Sequence, residues 1–531
     1  MPSRLYGKCI LLIEDEEMIR SQLKQSMTAV GCKRLRAVAN IQLALEAIAE
    51  ETFDLILCDY NLGDDTNGQQ FLEYIRAREL ISRNTLFIMI TAEQTYQNVM
   101  LVAECTPDGY LLKPFTPAQL NARVNRLIAR QEELEHVNRA VDLRRWDQAI
   151  SECDMLVAMG SKHAFDALKI KGEALVKSGR AAIAQQHYEA VLLQRPLAWA
   201  RIGMARALGA AGKVEHACTL LRDTITESPM AMHAYDLLAR LLADNNKQAD
   251  AVEVLQKAGE TSPGTLGRLR TLTSLAIESG QNDIAEQVMT KALKVNKHSP
   301  VCDAGDYALL SRALLNQNKS AAALDIIKQA HENFSDATSK LMLAAIECIV
   351  HQRGGNSENA AEALTRANAG DLSNLPLNVA LTVAEANLAL GREAEAHNLI
   401  KQAIQNNPDD SHLMQKVMAA LGGDNKAEQA AEIIAASQRE IIQLNNEGVR
   451  KAEAGEFDDA IALLSAAADR LPNNLQIVGN AALALAQHMA RNGASSEHLN
   501  ICLRYRNSLA RQSPEDPKLR LIDANLQRLK R

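Results

Sequence analysis

Aromatic residues make up only 3% of this 531-residue chain, and no hydrophobic run approaches the length of a bilayer span. The first shortage disfavours a sandwich or barrel core and, with abundant alanine, favours helices packed closely on helices. The second excludes a helical membrane protein. The apolar run Cys9–Ile13 is short and is followed at once by acids, unlike a signal peptide. Nine cysteines form no CxxC or other metal-like spacing, so they read as small buried hydrophobes in a reducing compartment, and a cytoplasmic location is expected. Positive charge is also missing as a field. The formal net charge is -7, which gives no general attraction to nucleic acid or to an anionic membrane, so protein partners are expected instead.

What the chain does have begins with four apolar runs separated by helical stretches: residues 9–13, 55–58, 86–90 and 110–112. Continuous apolar runs of this length read as parallel strands buried on both faces of an α/β sheet, with the weaker run 35–38 as an edge strand. Each strong run stops at polar chemistry: Glu14 and Asp15, then Asp59, then Thr91, then Lys113. In an open parallel sheet the carboxyl ends of the strands line one crevice, so three carboxylates, a hydroxyl and an ammonium are expected to converge. Carboxylates packed this closely require a cation, and an all-oxygen donor set suits Mg²⁺. An ionised, positioned carboxylate can then attack phosphorus and hold the phosphoryl group as an acyl phosphate.

These residues resemble the receiver domains of two-component response regulators over about residues 1–118: IED at 13–15, the strand-ending Asp59, Gly68 opening the next helix, TA at 91–92 and KPF at 113–115. The resemblance implies a flavodoxin-like, doubly wound, five-stranded parallel domain with Asp59 as phosphoacceptor. It implies that Asp15 binds Mg²⁺ directly, Glu14 through water and Asn61 through its backbone carbonyl, that Thr91 and Lys113 contact the phosphoryl oxygens, that Tyr110 is an aromatic switch, and that the Lys113–Pro114 peptide is cis. It further implies a histidine kinase or phosphotransfer protein as phosphoryl source, a bacterial origin, and a signalling protein with self-phosphorylation and self-dephosphorylation chemistry rather than an enzyme with a separate substrate. Asn61 together with Glu93 resembles the pairing in fast-hydrolysing chemotaxis receivers, which implies a short-lived phosphoryl group.

From Pro117 a helix pattern runs without Gly or Pro through residue 145, making 119–145 a connecting helix. Leu120, Val124, Leu127, Leu134, Val137 and Val141 are spaced in a heptad-like way. The second half reads either as the first helix of a repeat array or as a dimerising coil; three to four sustained heptads are missing, which favours the former and leaves a homodimer open.

Residues 146–531 carry an internal repeat. An early alanine in a second helix is followed twelve residues later by proline: Ala184 and Pro196, Ala217 and Pro229, Ala251 and Pro263, Ala396 and Pro408, Ala460 and Pro472. Around 285, 323 and 360 only alanine pairs survive. The period resembles tetratricopeptide repeats, and about eleven helix pairs are expected. Such an α-solenoid buries a core by stacking and exposes a long surface that holds proteins. The expected whole is therefore an α/β receiver followed by an all-α array, which passes the state of Asp59 to a protein partner. The alternatives are a phosphate sink or docking scaffold for a kinase, and an RNA-binding helical repeat. Gly422, Gly423 and Asp424 read as a loop; Trp146 and Trp199 read as packing.

Overall fold

The computed structural model describes residues 5–63, 67–78, 80–92, 107–261, 265–297, 299, 301–372, 374–408, 413–422, 426–493, 495–513 and 516–529. Glu93, Pro263, Gly423 and Asp424 lie outside them. The chain divides into two compact units, residues 1–309 and 310–531.

The first unit opens with five parallel strands, β1 (Cys9–Ile13), β2 (Arg34–Val38), β3 (Leu55–Asp59), β4 (Leu86–Thr91) and β5 (Gly109–Leu112), in the order β2-β1-β3-β4-β5. This is the flavodoxin-like order. The central strands β1, β3 and β4 are buried along their whole length, which is why they read as unbroken apolar runs, whereas edge strand β2 is only half-buried and carries two arginines. Helices α1 (Glu17–Ala29) and α4 (Pro117–Asp142) cover one face through Leu23, Met27, Leu120, Val124 and Ile128. Helices α2 (Ile41–Glu50) and α3 (Gly68–Ala77) cover the other through Ala44, Ala47, Phe71 and Ile75.

Helix α4 starts at a capping box, with Thr116 accepting from the Gln119 amide and Pro117 at its first turn. Its first half is receiver core as far as Ile128. In its second half Val137 packs with Cys153 and Ala167, and Ala140 and Val141 pack with Ala149. The heptad-like stripe is thus spent inside the chain, and the helix is shared without a break between the sheet and the first repeat helix.

From Trp146 onward every described element is a helix. The alanines singled out in the sequence, Ala184, Ala217, Ala251, Ala285, Ala323, Ala360, Ala396 and Ala460, are all 0% exposed and all lie on the second helix of a pair. The degenerate middle copies therefore keep a position at which a larger side chain would separate the helices. Pro196, Pro229, Pro408 and Pro472 each follow directly after a second helix ends. Tyr188 shows how close the packing is: a Cβ on Gly172 or Gly203 would sit 2.4 or 2.3 Å from its ring, so two glycines form the slot that the tyrosine fills.

In the second unit the same construction carries amide pairs, the buried Asn445 with Asn480 at 2.6 Å and the half-buried Asn368 with buried Asn387 at 3.1 Å, which satisfy polar groups inside the stack. No helix among the described residues is long and apolar enough to cross a membrane. All eight described cysteines are free and buried.

Candidate functional site

The carboxyl ends of β1, β3, β4 and β5 bring the expected residues into one place. Glu14, Asp15 and Asp59 each offer a carboxylate oxygen, and those oxygens lie within 4.8 Å of one another. Glu14 is 1% exposed and Asp59 7% exposed, whereas Asp15 is open to solvent. Lys113 Nζ, just past β5, reaches Glu14 Oε2 at 2.8 Å and Asp59 Oδ2 at 3.1 Å. Thr91 is buried at the end of β4, where its carbonyl accepts from the Lys113 amide at 2.7 Å, and the Lys113–Pro114 peptide is cis as expected.

Asp59 is aimed by its surroundings. The Tyr60 amide donates to Asp59 Oδ1 at 3.0 Å, which leaves Oδ2 towards Lys113. Helix α3 begins directly against it, because the Gly68 amide donates to the Tyr60 carbonyl at 2.8 Å and the Gly68 α-carbon lies so near that a Cβ would be 2.4 Å from the Asp59 carbonyl oxygen. Asn61 pairs with Asn67 in a single antiparallel bridge, which closes the loop between β3 and α3. Tyr110 is half-buried on the sheet face that α2 and α3 cover, while its neighbour Leu111 belongs to the opposite core.

The electrostatics match a site short of positive charge. Burial raises the pKa of Asp59, and Lys113 opposes that shift by its charge and its hydrogen bond. Burial likewise raises Glu14, against the hydrogen bond from Lys113 and with help from the charge of Asp59. Burial lowers the affinity of Lys113 for its proton, but the hydrogen bond to Glu14 and the charge of Asp59 outweigh it, so its pKa is raised. One lysine thus shares two buried carboxylates, Glu14 and Asp59, and a further cation is what would hold both ionised. The donor set fits Mg²⁺: oxygen atoms only, two buried and one exposed to the water that such an ion keeps.

Two contributors carry no strand-end signal. Arg20, on α1, donates to the carbonyls of Glu14 and Asp15 at 2.7 and 3.0 Å and so fixes the backbone that presents both acids. Asn67 and Gln70 form the capping box that starts α3 beside Asp59, an N-x-x-Q pattern readable in the sequence but not singled out there.

The response regulator receiver domain family matches residues 10–125, and a tetratricopeptide repeat family matches residues 202–264. The phosphate regulon transcriptional regulatory protein PhoB of Pseudomonas aeruginosa is 32% identical over 126 residues, which are 24% of this chain and 54% of PhoB. The transcriptional regulatory protein GltR of the same organism is 30% identical over 126 residues, covering 24% of this chain and 51% of GltR, so the match spans about half the length of both regulators. The chemotaxis protein CheY-3 of Vibrio cholerae is 27% identical over 121 residues, 23% of this chain and 92% of CheY-3. Among solved structures, the receiver domain of a Francisella response regulator is 25% identical with a TM-score of 0.21 and covers 23% of this chain and 98% of its own. A tetratricopeptide repeat protein from Parabacteroides merdae is 14% identical with a TM-score of 0.31 and covers 49% and 98% respectively. At its N-terminus the chain carries a response regulator receiver domain, and in the helices beyond the sheet it carries a tetratricopeptide repeat.

Proposed function

We propose that the chain is a response regulator whose receiver accepts a phosphoryl group on Asp59 and whose repeats bind a protein in a manner set by that state. The observation that carries this reading is the meeting of Glu14, Asp15, Asp59 and Lys113 at the strand ends within hydrogen-bonding and ligand distances. The phosphoryl source is a histidine kinase or phosphotransfer protein.

Asp59, positioned by the Tyr60 amide, is the nucleophile: an oxygen–phosphorus bond forms at its carboxylate as the bond from phosphorus to the donor's leaving group breaks. The Lys113 ammonium turns from the bare carboxylate to the phosphoryl oxygens, and the Thr91 hydroxyl supplies a further hydrogen bond there. Asp15 and Asp59, Glu14 through water and the Asn61 carbonyl would hold Mg²⁺, which supplies charge neutralisation for the transferred group. Tyr110 is the switch residue, placed on the α3 side of the sheet.

Phosphoryl incorporation from acetyl phosphate, followed by intact mass, tests the assignment; absence of label with Mg²⁺ present would remove it. Comparing retention of partner proteins by wild type and Asp59→Asn separates a phosphoryl-controlled output from a phosphate sink, for which retention is equal.

The raised carboxyl pKa values of Glu14 and Asp59 add a pH dependence. Mg²⁺ must displace any proton these acids hold, so its affinity is highest above their raised values and falls as pH drops through them. Titration with Mg²⁺ at pH 5 and pH 8 is expected to give weaker binding at the lower pH. Equal affinity at both would show that neither buried acid takes part.

A further inference from the structure

The second unit holds a side-chain cluster to which the receiver chemistry gives no role. Glu347, on the helix Ala337–Arg353, has an imidazole beside each of its carboxylate oxygens. His331 Nε2, from the helix Ser320–Asn333, lies 3.5 Å from Oε2, and His351 Nε2, one turn further along the helix of Glu347, lies 3.8 Å from Oε1. The guanidinium of Arg366, from the helix Ser357–Ala367, donates to Oε1 at 2.9 Å. Three consecutive helices thus meet at one carboxylate.

His331 is the part that packing leaves unfinished. Its Nε2 is shut off from solvent and takes no hydrogen bond, although the Glu347 carboxylate stands beside it. A neutral imidazole that turns its lone pair to a carboxylate is not held there, and one that turns an N–H to it should close to about 2.7–3.2 Å. A metal cation between the two groups would use the lone pairs of both. The separations suit such an ion: zinc bonds of about 2.0–2.2 Å in a tetrahedral shell place neighbouring donor atoms about 3.3–3.6 Å apart, against 3.5 and 3.8 Å here. Glu347 and His351 stand four residues apart and so project from one side of their helix, while His331 meets them from the second helix of the preceding pair. Two imidazoles and a carboxylate are a donor set for a late transition ion, unlike the all-oxygen set around Asp59.

We propose that His331, Glu347 and His351 form a binding site for a divalent late transition metal ion such as Zn²⁺, and that the bound ion ties the helix Ser320–Asn333 to the helix Ala337–Arg353 across the boundary between two helix pairs. Loading draws both rings to the carboxylate, and the exposed Arg366 competes with the ion for it. The site uses no chemistry at Asp59, so its failure is distinct from failure of the phosphoacceptor assignment.

Titration of the full chain with Zn²⁺ against a chromophoric chelator, with Mg²⁺ in excess to fill the acid cluster around Asp59, tests it. One equivalent is expected to bind. His331→Asn and His351→Gln are each expected to weaken binding by about tenfold or more, and Arg366→Ala to strengthen it by up to about fivefold. Zinc held equally by the double histidine variant, or not held by the wild type, would overturn the proposal. Because loss of an imidazole could loosen the helices, a second arm uses the wild type alone. Hydrogen exchange with one equivalent of Zn²⁺ is expected to slow by about tenfold in peptides from 320–353 and to stay unchanged in those from 475–505. The latter carry another histidine pair, His488 and His498, whose rings meet edge to face at 5.4 Å. Unchanged exchange in 320–353, or slowing at 475–505 instead, would equally overturn it.

Discussion

Asp59→Asn is expected to reduce phosphoryl incorporation to background, a loss of about a thousandfold or more, without unfolding the receiver. The amide has the shape of the acid but no nucleophilic oxygen, and the Tyr60 amide can still donate to its carbonyl oxygen. Stability should hold or rise. Burial lifts the Asp59 pKa above the ordinary carboxylate value, so the folded chain favours the protonated acid. As pH rises above the unfolded value the acid ionises, and the fold then bears the cost of a buried charge that Lys113 only partly offsets. Asparagine removes that cost, and Lys113 keeps Glu14 at 2.8 Å. The comparison is intact mass after acetyl phosphate alongside a thermal melt at pH 8. Label retained by the variant at a neighbouring acid would assign the acceptor elsewhere, and a collapse of the melt would mean that Asp59 is structural.

Much of this site was legible in the sequence because of how parallel sheets are built. Strands buried on both faces read as unbroken apolar runs, and their polar ends are where the topology puts its crevice, so Glu14, Asp15, Asp59, Thr91 and Lys113 announce themselves. The repeats were legible for a different reason: helix pairs tolerate almost any surface but need a small residue at their closest approach, and Ala285, Ala323 and Ala360 keep it where everything else has drifted. Arg20 was not legible, since its contacts are to backbone carbonyls that any residue offers. Nor was the meeting of Gln70 with Asn296, because a pair 226 residues apart leaves no periodicity on either side.

The receiver's boundary shows a further limit. Placing its end at residue 118 follows the last strand and its KPF sequence, yet Leu120, Val124, Leu127 and Ile128 are buried in the sheet's own core. The stripe that would have marked the end of a domain continues in register through the buried Leu134 into Val137 and Val141, which pack on the repeats. A helix shared by two cores has no punctuation where ownership changes. The same continuity suits it to transmit a displacement, which a flexible linker would lose.

Gly68→Ala is expected to destabilise the receiver by about 1–3 kcal/mol, against the usual sign for glycine replaced by alanine in a helix. At an ordinary helix position the exchange gains up to about 1 kcal/mol, because alanine restricts the unfolded chain. Gly259, in the helix Gln248–Thr261 with nothing within 4 Å of its added carbon, is the internal control for that gain. At Gly68 the new carbon would stand 2.4 Å from the Asp59 carbonyl oxygen, 2.8 Å from Met89 Sδ and 3.0 Å from Cys58 Sγ. The nearest of these is backbone in a central strand and cannot swing aside, so either α3 retreats or the end of β3 moves. Retreat of α3 breaks the Gly68 to Tyr60 hydrogen bond at 2.8 Å and withdraws Gln70 from Asn296; movement of β3 carries Asp59 away from Lys113. Hydrogen exchange on the full chain reads both routes: peptides from 55–77 should exchange faster in Gly68→Ala and not in Gly259→Ala, with loosening at 266–303 if α3 is the element that gives way. Equal exchange in the two variants would mean that the space beside Asp59 is larger than these distances allow. The close fit also ties two regions together: the helix that stands against Asp59 at one end stands against the repeats at its side.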